Sequence, residues 1–459
     1  MAKIFIGNDM WQARKNLVKA IVWDEDRISN HHVGIAGTSG SGKTFWLRKF
    51  IGSVPDNVTI DIFDYHGDID VPGATSVLFS EQNKYGYNPL VINQDPIYGG
   101  VRRATNDLIA AIGRSRKLGD QQEGVLRNLI MDAYEVKGIH ADRPETWRKR
   151  DASEQEIISL YTGRDPDKWK KLAGCYPSLY DLELMINRKL RLSLFGLDDR
   201  KESRNALFMY ESFIRATSAL RNAKIKFNRA AGSEEEINKL QEKKDKCRDA
   251  AEKAFEQALN ATEDGKELED MLKYQSTDTL QSLLLRIQNL RAVGIFNANL
   301  PPFGQARVRR HNLKPLAQSE EELVMYVHYR MKAIFREEMQ RGESGGKLRH
   351  LIVLDESKKF KDEKVTNPIN IIANEARKYG IGLILAGQSP EHFSDDFIKN
   401  AGTLLMLNLA TSDWDGAARK LKVKPDSLKF LQPRKTALVR MLNSGESANF
   451  QSVQFPDGD

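Results

Sequence analysis

Eight consecutive residues, Gly37-Thr38-Ser39-Gly40-Ser41-Gly42-Lys43-Thr44, follow the pattern G-x-x-x-x-G-K-[ST]. Glycines at this spacing let the backbone wrap so that successive N–H groups point at phosphate oxygens. The apolar run His32–Ala36 before the loop reads as a strand, and Phe45 to Ile51 after it reads as a helix. A helix N-terminus at the end of such a loop adds a partial positive charge in the same place. The expected ligand is therefore ATP with Mg²⁺: Lys43 neutralises β/γ-phosphate charge, and the Thr44 hydroxyl binds the metal.

Three further segments have residue types that suit a reaction on such a ligand. His350-Leu351-Ile352-Val353-Leu354-Asp355-Glu356 is an apolar strand ending in two carboxylates. Asp355 is expected to orient a metal-bound water, and Glu356 to polarise the attacking water as general base. The strand Gly382–Ala386 ends in Gly387-Gln388-Ser389-Pro390, which puts Gln388 where a side chain can sense the γ-phosphate or the water. Arg377, in Asn374-Glu375-Ala376-Arg377-Lys378-Tyr379-Gly380, ends a helix before that strand. It either reaches a neighbouring subunit's nucleotide or caps its own helix electrostatically, and the residues alone leave both open.

The elements that must hold these residues lie at the two ends of the chain. Val58 to Phe63 alternates β-branched and polar residues and stops at Asp64-Tyr65-His66-Gly67-Asp68; Ser76–Phe79 is a further short strand. Strand patterns return at 306–309, 348–354, 382–386, 403–409 and 436–441, with helices at 318–341 and 369–378 between them. Strands alternating with helices predict a parallel-rich α/β sheet. Between the two ends, residues 101–137 and 153–192 read as amphipathic helices. The expected organisation is an ATPase core from residues 1–100 and 301–459, split by a helical insertion over 101–300.

Within that insertion, Met209, Phe213, Ala216, Leu220, Ala223, Phe227 and Ala230 repeat at alternating steps of four and three. The pattern breaks at Gly232-Ser233 and restarts with Ile237, Leu240, Cys247, Ala251, Ala254 and Ala258, with Lys244 in the missing seam position. Two helices meeting along such a seam form an antiparallel hairpin over 203–260, each arm on the order of 40 Å long. The expected role is a bracing arm, with a partner or DNA contact as the other reading.

The 459 residues carry a formal net charge of +7 and only two cysteines, Cys175 and Cys247. A basic balance permits contact with nucleic acid without requiring it. Both cysteines read as free thiols of a reducing, cytoplasmic compartment. No run of about 18 apolar residues is present, so no membrane insertion is expected.

Taken in order, several segments resemble the FtsK–HerA superfamily, on its HerA-like and conjugative-ATPase side. They are the loop Gly37–Thr44, Phe63-Asp64-Tyr65-His66-Gly67-Asp68, Tyr87-Asn88-Pro89-Leu90, the pair Asp355-Glu356, the run Glu375 to Gly382, and Gly387-Gln388-Ser389-Pro390. The resemblance implies a RecA-like P-loop fold, a homo-oligomeric ring (usually a hexamer) and ATP-driven pumping of DNA. It favours Arg377 as a finger acting in trans, supports Gln388 as sensor, and suggests that Asp64 and His66 line the site. It also departs from the family pattern: an Asp-Glu-Ala-His run is here Asp355-Glu356-Ser357-Lys358.

The expected function is a DNA-translocating ATPase of a mobile element, a defence system or DNA processing. Arg307, Arg309 and Arg310 are candidate backbone-gripping cations, or else a solvated charge run. Two other readings share the chemistry: a motor for protein transport or assembly of the conjugative secretion type, and a nucleotide-gated scaffold for a partner nuclease.

Overall fold

The short apolar runs at the two ends of the chain meet in one sheet. The computed structural model describes residues 3–15, 17–115, 117–161, 166–195, 201–229, 234–260, 273–274, 276–443 and 449–456. The sheet has eleven strands: β1 (Lys3–Asp9), β2 (Ala20–Asp24), β3 (Val33–Ala36), β4 (Thr59–Asp64), β5 (Thr75–Leu78), β6 (Val308–Asn312), β7 (His350–Leu354), β8 (Ile381–Gly387), β9 (Thr403–Met406), β10 (Thr436–Met441) and β11 (Gln451–Gln454). They lie in the order β2-β1-β11-β10-β9-β3-β8-β7-β4-β6-β5. From β9 to β5 every pairing is parallel, and from β9 to β2 every pairing is antiparallel. The expected parallel-rich P-loop architecture is the one observed, with an antiparallel flank in addition.

Alternation along the central strands makes both faces of the sheet apolar. Ile60 and Ile62 of β4, with Leu351 and Val353 of β7, share a core with Leu47, Phe50 and Ile51 of helix α1 (Lys43–Ser53). Each of those α1 side chains is fully buried, a contribution on the order of 2 kcal/mol apiece. Phe63, Ile352 and Leu354 point the other way, into the helical layer.

That layer is built from α2 (Val101–Ser115), α3 (Asp120–Val136), α4 (Leu179–Phe195), α7 (Thr277–Val293) and α8 (Glu320–Gln340), with shorter segments between; α5 (Lys201–Asn228) and α6 (Glu234–Asn260) form a separate pair that falls between α4 and α7 in the chain. The layer's buried residues, such as Leu108, Leu129, Ile186 and Leu283, belong to the same cluster as Phe63 and Leu354. The helical region thus packs its core onto one face of the sheet. The arms α5 and α6 pack as a hairpin: Phe213 meets Phe255 at a ring-centroid distance of 5.3 Å. Lys244, the polar seam position, places its ammonium 4.1 Å from the Phe227 ring centroid, so a cation–π contact replaces an apolar one. Gly232 and Ser233, where the turn is expected, lie outside the described residues.

Several boundaries differ from the sequence expectation. The strand expected at 306–309 is β6, Val308–Asn312. The helix expected at 369–378 is α9 (Pro368–Glu375) followed by a tighter turn at Ala376–Tyr379. Cys175 and Cys247 are unpaired. Among the described residues no helix is long and apolar enough to cross a membrane.

Candidate nucleotide site

Parallel strands deliver their C-terminal ends to one edge of a sheet, and such an edge is where α/β folds bind ligands. Here the register aligns the ends closely: Ala36 of β3 pairs with Gly387 of β8 and with Met406 of β9, and Phe63 of β4 pairs with Leu354 of β7. The next residues along each strand are the loop 37–44, the Asp64–Asp68 turn, Asp355-Glu356, Gln388 and Asn408. They meet at a cavity of about 770 Å³, lined by Ser39 to Thr44, His66, Asp68, Asp355, Glu356 and Gln388.

The loop is held from both sides. The Gly37 N–H donates to the Gly387 carbonyl at 3.0 Å, and the Thr38 N–H donates to the Asn408 carbonyl at 2.8 Å. Gly40 and Gly42 have φ of +74° and +103°, where a side chain is disfavoured. A Cβ at Gly37 would lie 2.5 Å from the Ser41 hydroxyl. Ser41 is buried, and its hydroxyl has no partner among the described residues. Helix α1 begins at Lys43, so its free N–H groups open into the loop. The Lys43 ammonium lies in the same loop and donates to the carbonyls of Gly37 at 2.7 Å and Thr38 at 3.1 Å. Burial lowers its pKa, an effect that Asp355, Glu356 and Asp68 partly offset.

Facing the loop is a group of acids. One carboxylate oxygen from each of Asp64, Asp68 and Asp355 lies within 4.8 Å of the others. Asp64 is fully committed: it accepts from the Gly67 and Ile69 N–H groups at 2.7 and 3.0 Å and pairs with Arg310 at 2.7 Å. Asp68 is exposed, and Asp355 is buried. Burial pushes the Asp355 carboxyl up to about 6; His66 opposes the rise, while Asp68, Asp64 and Glu356 add to it. Glu356 sits in the left-handed region at φ +57°, and its carboxylate lies 3.3 Å from the His66 ring.

Of the residues expected at the site, Ser39 to Thr44, Asp355, Glu356 and Gln388 line this cavity and His66 joins them, while Gly37 and Thr38 tie the start of the loop to Gly387 and Asn408. Arg377 does not. It is exposed in the turn before β8, at the opposite edge of the sheet, about 20 Å of strand away from Gln388. Its charge falls on His31, just before β3, at that same far edge. The basic run is also elsewhere than on a free loop. Arg307 donates to the Pro55 carbonyl, Arg309 donates to the Ala306 carbonyl, and Arg310 holds Asp64.

Sequence reasoning missed several contributors. Asp68 stands in a quoted run but had no role assigned to it. Arg48 of α1 donates to the Asp68 carbonyl at 2.9 Å and ties that turn to the helix. The Asn408 amide donates to the Thr38 hydroxyl at 3.2 Å. Arg434 and Phe455, from the antiparallel flank, line the cavity. None of these has a local pattern that marks it.

Residues 9–161 match the family model described as the central domain of the helicase HerA. No curated protein matches the chain. Among solved structures, VirB4 of Thermoanaerobacter pseudethanolicus aligns over 99% of this chain and 96% of that one, at 12% identity and a TM-score of 0.59. The bacterial conjugative coupling protein TrwB, as a ΔN70 form, aligns over 100% and 95%, at 12% identity and a TM-score of 0.48. Residues 9–161 are thus similar to the central domain of the helicase HerA, and the fold along the whole chain is similar to that of VirB4.

Proposed function

We propose that this chain is an ATP-hydrolysing motor that moves DNA, working in the cytoplasm as a homo-oligomeric ring. The observation that carries the reading is the one cavity that has Lys43 on one wall and Asp355-Glu356 on the other. The amides of the loop and the Lys43 ammonium bind the β/γ-phosphates.

The donor set also fits a magnesium ion. Thr44, Asp355 and Asp68 offer only oxygen, as a hard divalent cation requires, and the acid cluster around Asp355 is a repulsion that such a cation relieves. Mg²⁺ bound there supplies charge neutralisation at the phosphates. Glu356, braced by His66, takes the proton from the attacking water, and Gln388 orients that water. Arg377, at the far edge, acts on the nucleotide of a neighbouring copy, so the site is complete only in the oligomer.

The match to a helicase central domain supports DNA as the track. The test is ATPase rate with and without duplex and single-stranded DNA, on protein of measured mass. A severalfold stimulation that weakens between 50 and 200 mM salt is expected, because grip on the phosphate backbone is electrostatic and releases bound counterions. A monomer with full DNA-stimulated activity would remove Arg377 from the mechanism. ATPase activity indifferent to DNA would favour the alternative, a motor for protein transport or assembly; the VirB4-like fold along the whole chain keeps that reading in view. Function that survives without hydrolysis would favour a nucleotide-gated scaffold for a partner such as a nuclease.

A further inference from the structure

The cavity extends well past the phosphate loop, toward the antiparallel flank. Its far part is walled by Ile6 of β1, Trp46 and Lys49 of α1, Arg434 in the turn before β10, and Phe455 just after β11. At about 770 Å³ it is in the range that encloses a whole small ligand, not only a chain of phosphates.

The chemistry of this end differs from that of the loop. Ile6 and Trp46 are buried, and the Trp46 and Phe455 rings lie 5.2 Å apart between centroids, tilted by 41°. The Lys49 ammonium sits 4.9 Å from the Trp46 ring centroid, on the same aromatic cluster. Phe455 is fixed by its own backbone: its N–H donates to the Lys435 carbonyl at 2.8 Å, which joins the segment after β11 to the turn that carries Arg434.

Arg434 provides a second, independent observation. Its φ of +58° is left-handed, an unfavourable backbone state for a residue with a side chain. It is exposed to the cavity and makes no hydrogen bond or ion pair to a described residue. An aromatic wall on one side and an uncommitted guanidinium in a strained turn on the other suit a flat, electron-rich ring joined to phosphates. Guanidinium planes and aromatic faces both stack on nucleobases.

We propose that Phe455 and Arg434 clamp the base of the bound nucleoside triphosphate, with Ile6 and Trp46 as the apolar floor. The proposal rests on the P-loop reading of the same cavity and extends it to the nucleoside. It gives the antiparallel flank a role: β1 and β11, from opposite ends of the chain, bring the base site to a loop that already holds the phosphates.

Calorimetric titration of the full chain with ATP and with inorganic tripolyphosphate separates the two ends. Phe455→Ala and Arg434→Ala are each expected to weaken ATP by about tenfold while tripolyphosphate affinity stays within about twofold. Phe455→Tyr is expected to keep ATP affinity. Retained tripolyphosphate binding also certifies that the variants are folded. ATP affinity unchanged in both alanine variants, or a parallel fall for the two ligands, would overturn the clamp. A wild-type protein that binds neither ligand would instead remove the P-loop reading, and the clamp with it.

Discussion

Ionised Asp355 carries a cost in the folded chain. A carboxyl raised from 3.8 to about 6 is harder to ionise in the folded chain than in the unfolded one. The unfolded state therefore loses its proton first as pH rises, so stability falls between about pH 4 and pH 6 and stays lower at neutral pH. The displacement corresponds to on the order of 3 kcal/mol for the ionised group. Asp355→Asn removes the charge and keeps the shape. It is expected to raise stability at pH 7 by about 1–3 kcal/mol in urea titrations, with the gain gone below about pH 4 and turnover abolished. An asparagine variant less stable than wild type at pH 7 would mean that the buried charge is already paid for by partners other than a bound cation.

Among the elements, the central strands are locked together by a buried charge. Asp61 of β4 accepts from His311 of β6 at 2.6 Å and from His350 of β7 at 2.9 Å, and His350 also lies 3.4 Å from Glu338 of α8. Burial alone would raise the Asp61 carboxyl, but the two histidines hold it well below its ordinary range. Burial lowers His350 in turn, yet its bonds to Asp61 and Glu338 leave it raised overall. A depressed acid contributes stability above its unfolded pKa and loses it as pH falls. A raised histidine contributes below 6.5 and loses it as pH rises through its folded value. His311 runs the other way, because burial outweighs its bond to Asp61 and lowers it; the two rings oppose each other near pH 6.5, and the acid sets the window, above about pH 4. Asp61→Asn is expected to cost about 3–5 kcal/mol in that window, measured by denaturant unfolding, because it strands two buried rings. A cost below about 1 kcal/mol would contradict the reading.

Elements with a local signature were legible beforehand. The loop 37–44 announces itself by its glycines, β7 by four apolar residues ending in two acids, and the α5–α6 hairpin by its seam. What was not legible depends on contacts between residues hundreds of positions apart. β11 is four residues in a polar context, and it is a strand only because β1 and β10 flank it. Arg310 looked like part of a basic run, because its partner Asp64 is 246 residues away. Arg434 stands in a short turn before β10, and nothing nearby in sequence says which cavity it faces.

At the scale of the whole molecule, the fold separates two kinds of work. The parallel edge gathers the groups that would handle phosphate, and the opposite edge carries Arg377, out of reach of its own site. On the proposed reading Arg377 acts on the nucleotide of a neighbouring copy, which calls for an oligomer. The helical layer shares a core with the sheet, so a change at the strand ends has a packed route into the helices.

The claim on which the rest depends is that Lys43 and the Asp355-Glu356 pair serve one nucleotide. Glu356→Gln tests it most directly, with ATP affinity and turnover measured on the same protein. ATP is expected to bind within about threefold of wild type while kcat falls by about 10²–10⁴-fold, the loss of a general base. A glutamine variant that hydrolyses ATP at the wild-type rate would contradict the account.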